Sequence, residues 1–174
     1  GYEADDIVAT LSEIYKKDLD IKVITFSGDK DNLQLIDGDK VVVELLRTGV
    51  SKTITYNEAL FLQDYGFSPK QFVDYKALVG DVSDNIPGVK GIGPKGATDL
   101  IREYGSIEKI YEEVGLIPKK VLQKKLEDSR EMAFLSKKLA AMKRAVPLQI
   151  SLDNLKKHSL NKEELRKYFE ELGF

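Results

Sequence analysis

Residues 74–108 read DYKALVGDVSDNIPGVKGIGPKGATDLIREYGSIE, and the middle of that stretch governs how the rest of the chain is read. From Gly80 to Gly93, glycine and proline are too frequent for a helix or a strand, so the segment is a loop of tight turns. Pro94 suits a first helical turn, where its missing N–H costs nothing, and a helix follows to Tyr104. Ser106 opens another. Gly88, Gly91 and Gly93 permit close backbone approach, and the free N–H groups at the start of the Pro94 helix suit a phosphate. Lys90 and Lys95 add positive charge. A dinucleotide fingerprint is a poor competitor, because no strand precedes the stretch and its glycine spacing is wrong. Taken alone, the motif reads equally as a glycine-rich helix connection.

Working outward, the chain opens with GYEADDIVATL. Its carboxylates Glu3, Asp5 and Asp6 lie ahead of apolar positions at 7, 8, 11 and 14, the pattern of a helix with acids at its N-terminus. Lys22 to Phe26 is a β-branched run expected as a buried strand, apolar on both faces and in need of neighbours. Ser27-Gly28-Asp29 closes it, and Asp31 is expected to cap a brief helix through Leu35. Val41 to Leu46 is a second strand, with a third over Lys52 to Thr55 beyond a Thr48-Gly49 turn. Thr55-x-x-Glu58 reads as a capping box for a helix through Asp64, and Ser68-Pro69 opens one to about Val79. Two or three basic helices fill 118–144, and Asn161-x-x-Glu164 caps a final one. The expected fold is α/β: a small sheet-bearing piece over residues 1–56, then a helical region over 57–174. Two or three strands are too few for a doubly wound sheet, so further strands upstream are expected.

With 174 residues, 42% of them hydrophobic, the chain can bury a core and is no disordered tail. No apolar run approaches the length of a membrane span, and no membrane partner is expected. Cysteine is absent, which excludes disulfides and thiolate metal sites. The net charge of −2 conceals an asymmetry. Residues 1–39 carry ten acids against four lysines, and residues 116–144 carry nine bases against three acids. That division suggests a cation site in one part and a polyanion surface in the other, although solvated helix faces explain the basic block as well.

Three acidic groups stand out: Glu3, Asp5 and Asp6; Asp29 and Asp31 after the end of a strand; and Asp81 and Asp84, three residues apart. Carboxylates brought together repel unless a cation neutralises them, and hard oxygen donors suit Mg²⁺ or Mn²⁺. Taken singly, each pair also fits a helix cap or a turn. His158, the one histidine, reads as a surface residue in a polar stretch, so a catalytic triad or zinc site is disfavoured. Hydrolysis by such a chain would rely on metal-bound water as nucleophile.

The stretches GYEADDIVATL, TFSGDKDNLQLI and 74–108 together resemble the 5′→3′ exonuclease domain of bacterial DNA polymerase I, within the flap endonuclease family. The match runs in order from residue 1 to about 114 and continues more weakly through LSKKLA, 135–140. The resemblance implies a partial PIN-like parallel sheet, followed by helices carrying a helix–three-turn–helix DNA-binding module at about 69–114. It implies two-metal hydrolysis, with Mg²⁺ or Mn²⁺, of phosphodiesters in 5′-flap or nicked DNA during replication and repair. Carried over by motif, the catalytic and metal-binding acids are Glu3, Asp5, Asp6, Asp29, Asp31, Asp81 and Asp84. Gly88, Lys90, Gly91, Gly93 and Lys95 would hold the duplex backbone, with K⁺ at the 88–93 turn.

The resemblance further implies a bacterial cytoplasmic, nucleoid-associated protein and allows a polymerase domain in the parent chain. Family members carry strands, two aspartates and phosphate-gripping bases ahead of EADD. The chain alone is therefore expected to be a poor nuclease whose DNA binding outlasts cleavage, and to self-associate or pair with such a segment. The alternative is a non-catalytic duplex-DNA-binding module.

Overall fold

The computed structural model describes residues 1–48, 52–157 and 159–174. The Thr48-Gly49 turn and His158 therefore fall wholly or partly outside the described residues.

Helix α1 (Ala4–Tyr15) starts at Glu3, with Asp5 and Asp6 in its first turn. It buries Ala9 against Leu35 and Val41. Strands β1 (Val23–Ser27), β2 (Val41–Thr48) and β3 (Lys52–Tyr56) form one sheet with β2 in the middle. β1 runs parallel to β2, Val23 facing Val41 and Ser27 facing Leu45, while β3 joins antiparallel, Tyr56 facing Val43. Val41, Val42, Val43 and Leu45 are all buried, as an apolar run covered on both faces requires. β1 departs from the expected buried strand. Thr25 alone is buried in it, and Ile24 and Phe26 are each 56% exposed. The cause is its position: β1 is an edge, so its apolar residues lack the cover that β2 has.

Two caps also differ from expectation. Asp29, rather than Asp31, caps the 3₁₀ turn Lys30–Leu35, its carboxylate accepting the Asp31 N–H at 2.8 Å. Asn57, rather than Thr55, caps α2 (Glu58–Tyr65), accepting the Leu60 N–H at 2.9 Å. Thr55 is unavailable because it is paired in the sheet opposite Glu44.

The helical region comprises α3 (Phe72–Val79), α4 (Pro94–Tyr104), α5 (Ile107–Glu112), α6 (Lys120–Asp128), α7 (Arg130–Ala140) and α8 (Lys162–Glu171). The main core is continuous, from Leu33 and Val43 through Phe61, Phe72 and Leu78 to Ile101 and Leu126. Buried Asp74 on α3 ties two other helices to it. It accepts the Ile107 N–H at the start of α5 at 3.1 Å, and the Lys137 ammonium of α7 at 2.6 Å. The basic segment resolves into two helices, α6 and α7, and the chain then runs extended as a strap along α1. There the Met142 N–H donates to Gln34 Oε1 at 3.1 Å, the Val146 N–H to Thr10 Oγ1 at 3.0 Å, and Arg144 pairs with Glu13 at 2.7 Å. Among the described residues, no helix is long and apolar enough to cross a membrane.

Candidate metal centre and nucleic-acid interface

Three segments deliver carboxylates to one place. The start of α1 supplies Glu3, Asp5 and Asp6; the loop after β1 supplies Asp29 and Asp31; the 80–93 loop supplies Asp84. All six line one cavity of about 300 Å³, closed by Ile86 and by Leu139, Ala140 and Met142 around the end of α7. Asp81 lines an adjoining cavity of about 560 Å³, which shares Asp29 and Asp31 with the first. One carboxylate oxygen each from Asp31, Asp81 and Asp84 lie within 4.8 Å of one another. Asp81 and Asp84 meet without the helical turn that their spacing suggested. Residues 81–86 form a tight loop instead, in which Asp81 and Ile86 exchange backbone hydrogen bonds of 2.8 Å.

Within this set the carboxylates differ in what already holds them. Asp6 uses both oxygens on backbone amides, those of Lys143 at 2.8 Å and Glu3 at 3.2 Å. These two donors hold its carboxyl below the usual aspartate value. Asp5 goes the other way. Burial raises it first, and the charges of Asp29, Asp6 and Asp84 raise it further, against a hydrogen bond from Asn32. Asn32 is itself 1% exposed, and its side-chain oxygen has no partner among the described residues. Crowded carboxylates of like charge form an all-oxygen donor set that fits a hard divalent cation.

Lys76 is a residue of this cluster that the sequence did not single out. Its ammonium, on α3, bridges Asp31 at 2.5 Å and Asp81 in a shorter contact, and the residue is 8% exposed. Its two partners respond oppositely. Asp81, held by Lys76 and by the Ser83 hydroxyl and amide, is lowered to about 2. Asp31 is the more enclosed of the two, and burial raises it despite Lys76, with Asp29 and Asp81 adding to the effect. The signal for Lys76 was a lysine within the apolar run Tyr75 to Val79, a pattern that does not by itself distinguish a buried ion pair from a solvated lysine.

The glycine-rich turn is anchored by buried Val89 and Ile92, and it leaves Lys90, Gly91, Gly93 and Lys95 exposed. Gly88 stands apart from them. It is buried at φ 62°, and a Cβ there would meet Gly80 N at 2.4 Å. Its N–H donates to buried Ser136 on α7 at 3.0 Å, so Gly88 shapes the turn rather than facing solvent. The Gly91 carbonyl accepts the Lys125 ammonium of α6 at 3.0 Å. Gly93 precedes α4, an 11-residue helix whose first turn is free of acids.

Residues 1–66 match the family described as 5′-3′ exonuclease, N-terminal resolvase-like domain, and residues 67–163 match 5′-3′ exonuclease, C-terminal SAM fold. The chain belongs to the 5′-3′ exonuclease family. It is 46% identical over 177 aligned residues to DNA polymerase I of Caldicellulosiruptor bescii, covering all of this chain and 20% of that protein. It is 45% identical over 152 residues to a 5′-3′ exonuclease of Bacillus subtilis, covering 87% of this chain and 50% of the relative. The chain thus spans about a fifth of the polymerases that it matches and half of that exonuclease. Among solved structures, T5 5′-exonuclease with bound zinc superimposes with a TM-score of 0.72 at 30% identity, over 82% of this chain and 51% of that one. The phage T5 D15 flap endonuclease, solved with DNA and metal ions, gives 0.66 at 29% identity, over 80% and 50%. The α/β fold is of the PIN-like kind.

Proposed function

We propose that this chain is part of a divalent-metal-dependent 5′→3′ exonuclease and structure-specific flap endonuclease that hydrolyses DNA phosphodiesters in replication and repair. The observation that carries this reading is the convergence of Glu3, Asp5, Asp6, Asp29, Asp31 and Asp84 on one cavity, from segments far apart in sequence. The residues that would hold Mg²⁺ or Mn²⁺ are Asp5, Asp29, Asp31 and Asp84, with Glu3 beside them. Asp6 and Asp81 belong to the same acidic set, with their oxygens already engaged by Lys143 and Glu3, and by Lys76 and Ser83. When bound, a pair of such ions lowers the pKa of a water and offsets charge on the leaving oxygen. The protein's part is to bring the carboxylates together, which the β1 end, the α1 start and the 80–93 loop do by carrying them to one cavity. Lys90, Lys95 and those amides of the turn not bonded within the protein would grip the duplex backbone without reading sequence, with K⁺ at the 88–93 carbonyls in exchange for the Lys125 ammonium on Gly91. The division near residue 56 into a core part and a helical region belongs to this reading, as does a polymerase domain in the parent.

The test uses a 5′-flap oligonucleotide and the purified chain. In Ca²⁺, flap DNA should bind more tightly than in EDTA, and Asp29→Asn/Asp84→Asn should abolish the difference. In Mg²⁺, any cleavage by the chain should vanish in the double variant. Metal-independent binding together with unchanged behaviour of the double variant would overturn the reading in favour of a non-catalytic duplex-binding module.

A further inference from the structure

Among the described residues the acidic cavity has no basic side chain in its lining, yet one edge of the acidic set already carries a counter-charge. Lys76 reaches Asp31 Oδ1 and Asp81 Oδ2 from α3, with 10% of its side chain exposed. It projects from α3, the helix that also buries Phe72, Ala77 and Leu78, so the ammonium is delivered by a packed element rather than a loose surface arm. The second oxygen of Asp81 is taken by the Ser83 N–H at 2.9 Å and by the Ser83 hydroxyl. Both oxygens of Asp81 are therefore engaged, one of them by Lys76, and Lys76 also holds one of the two oxygens of Asp31. At the other end, Asp5, Asp29 and Asp84 face one another with no such partner lining the cavity.

We propose that Lys76 is a built-in counter-ion: it holds the Asp31–Asp81 side of the acidic set together and competes there with a divalent cation. The inference rests on the metal-site reading above. An ion arriving at the Asp5–Asp29–Asp84 end meets uncompensated carboxylates and binds first. Asp31, Asp81 and Asp84 would take up a cation only in competition with the ammonium, which already holds Asp81 and one oxygen of Asp31, so that end would fill second and more weakly. Removing the charge should therefore have two effects of opposite sign. The chain loses stability, because Asp31 and Asp81 are left to repel each other in a partly dehydrated place. It gains affinity for divalent cations at that end, because their competitor is gone. A lysine with a purely structural role would produce the first effect alone.

The experiment is Mn²⁺ binding, followed by the electron paramagnetic resonance signal of free Mn²⁺, in the wild-type chain, Lys76→Met and Lys76→Arg. The expected result is a stronger and a weaker class of site in the wild type. In Lys76→Met the weaker class should tighten about tenfold or more. Lys76→Arg should stay near the wild type. The melting temperature of Lys76→Met should be lower in EDTA and should rise more on adding Mn²⁺ than that of the wild type. Should Lys76→Met fail to fold, the wild type carries the test through the lysine side-chain ¹⁵N resonance of Lys76, which should shift as Mg²⁺ saturates. A weaker class left unchanged or weakened in Lys76→Met would overturn the inference while leaving the metal site intact. So would a Lys76 resonance indifferent to saturating Mg²⁺. Absence of Mn²⁺ binding by every protein would overturn the metal site and this inference together.

Discussion

Lys90 and Lys95 flank the exposed part of the 88–96 turn, while Gly88 inside it is pinned against Gly80 and Ser136. The two lysines can therefore be changed without disturbing what shapes the turn. Lys90→Ala/Lys95→Ala should weaken duplex binding equally on unrelated sequences. The slope of log affinity against log salt should flatten by roughly one unit for each phosphate that a lysine no longer neutralises. Fluorescence anisotropy across a salt series checks this, and an unchanged slope would return the turn to a structural connection. The residue scale also marks how far the sequence could be read. Glycines and lysines of the turn were legible because glycine, proline and charge leave local signatures. The separate duty of Gly88 was not, since it depends on Gly80 and on Ser136, a residue 48 positions away. Lys76 was hidden for the same reason, because Asp31, its partner, lies 45 positions earlier.

At the scale of elements, the helices and strands were mostly legible from apolar periodicity and caps. The misread caps arose where two candidates competed within two residues: Asp29 against Asp31, and Asn57 against Thr55. Sheet pairing decided the second. The strap after α7 was illegible, because its partners are on α1 and the 30–35 turn, more than 100 positions away. Its charged link is Glu13, which joins Lys16 at 2.9 Å and Arg144 at 2.7 Å with a quarter of its side chain exposed. Burial raises the Glu13 carboxyl, but the Lys16 and Arg144 hydrogen bonds outweigh that, and its net shift is downward from 4.5. A carboxylate lowered in the folded state stabilises above its unfolded value, and that stability is lost as pH falls through the folded value. Glu13→Gln should therefore cost about 1 kcal/mol at neutral pH. Its difference from the wild type should shrink on acidification below 4.5 and disappear under the folded-state value. Urea denaturation at a series of pH values measures it, and a difference independent of pH would exclude the ion pairs as its source.

On the scale of the whole molecule, one edge of the sheet, β1, leaves apolar side chains uncovered. Strand 22–26 is apolar on both faces by sequence, and the structure leaves Ile24 and Phe26 each 56% exposed. Beside them runs a groove of about 570 Å³ whose walls include Val8, Leu11 and Tyr15 of α1, together with Leu152 and Leu155. An edge strand offers a row of unpaired backbone N–H and C=O groups, and apolar side chains beside it add a hydrophobic incentive to pair. β2 is flanked on both sides and offers no such opening, and the other edge, β3, exposes Lys52, Thr53 and Thr55 rather than large apolar side chains. Association through β1 should therefore appear as a mass above 19.6 kDa that rises with protein concentration. Charging the edge with Ile24→Lys/Phe26→Lys should return the chain to a monomer, since lysine on an edge strand opposes pairing. Both positions lie outside the buried core, so the secondary structure seen by circular dichroism should be unchanged. Sedimentation equilibrium decides the matter. A wild-type chain that stays monomeric as concentration rises, or an assembly that survives the double substitution, would mean that the edge is protected by something other than pairing.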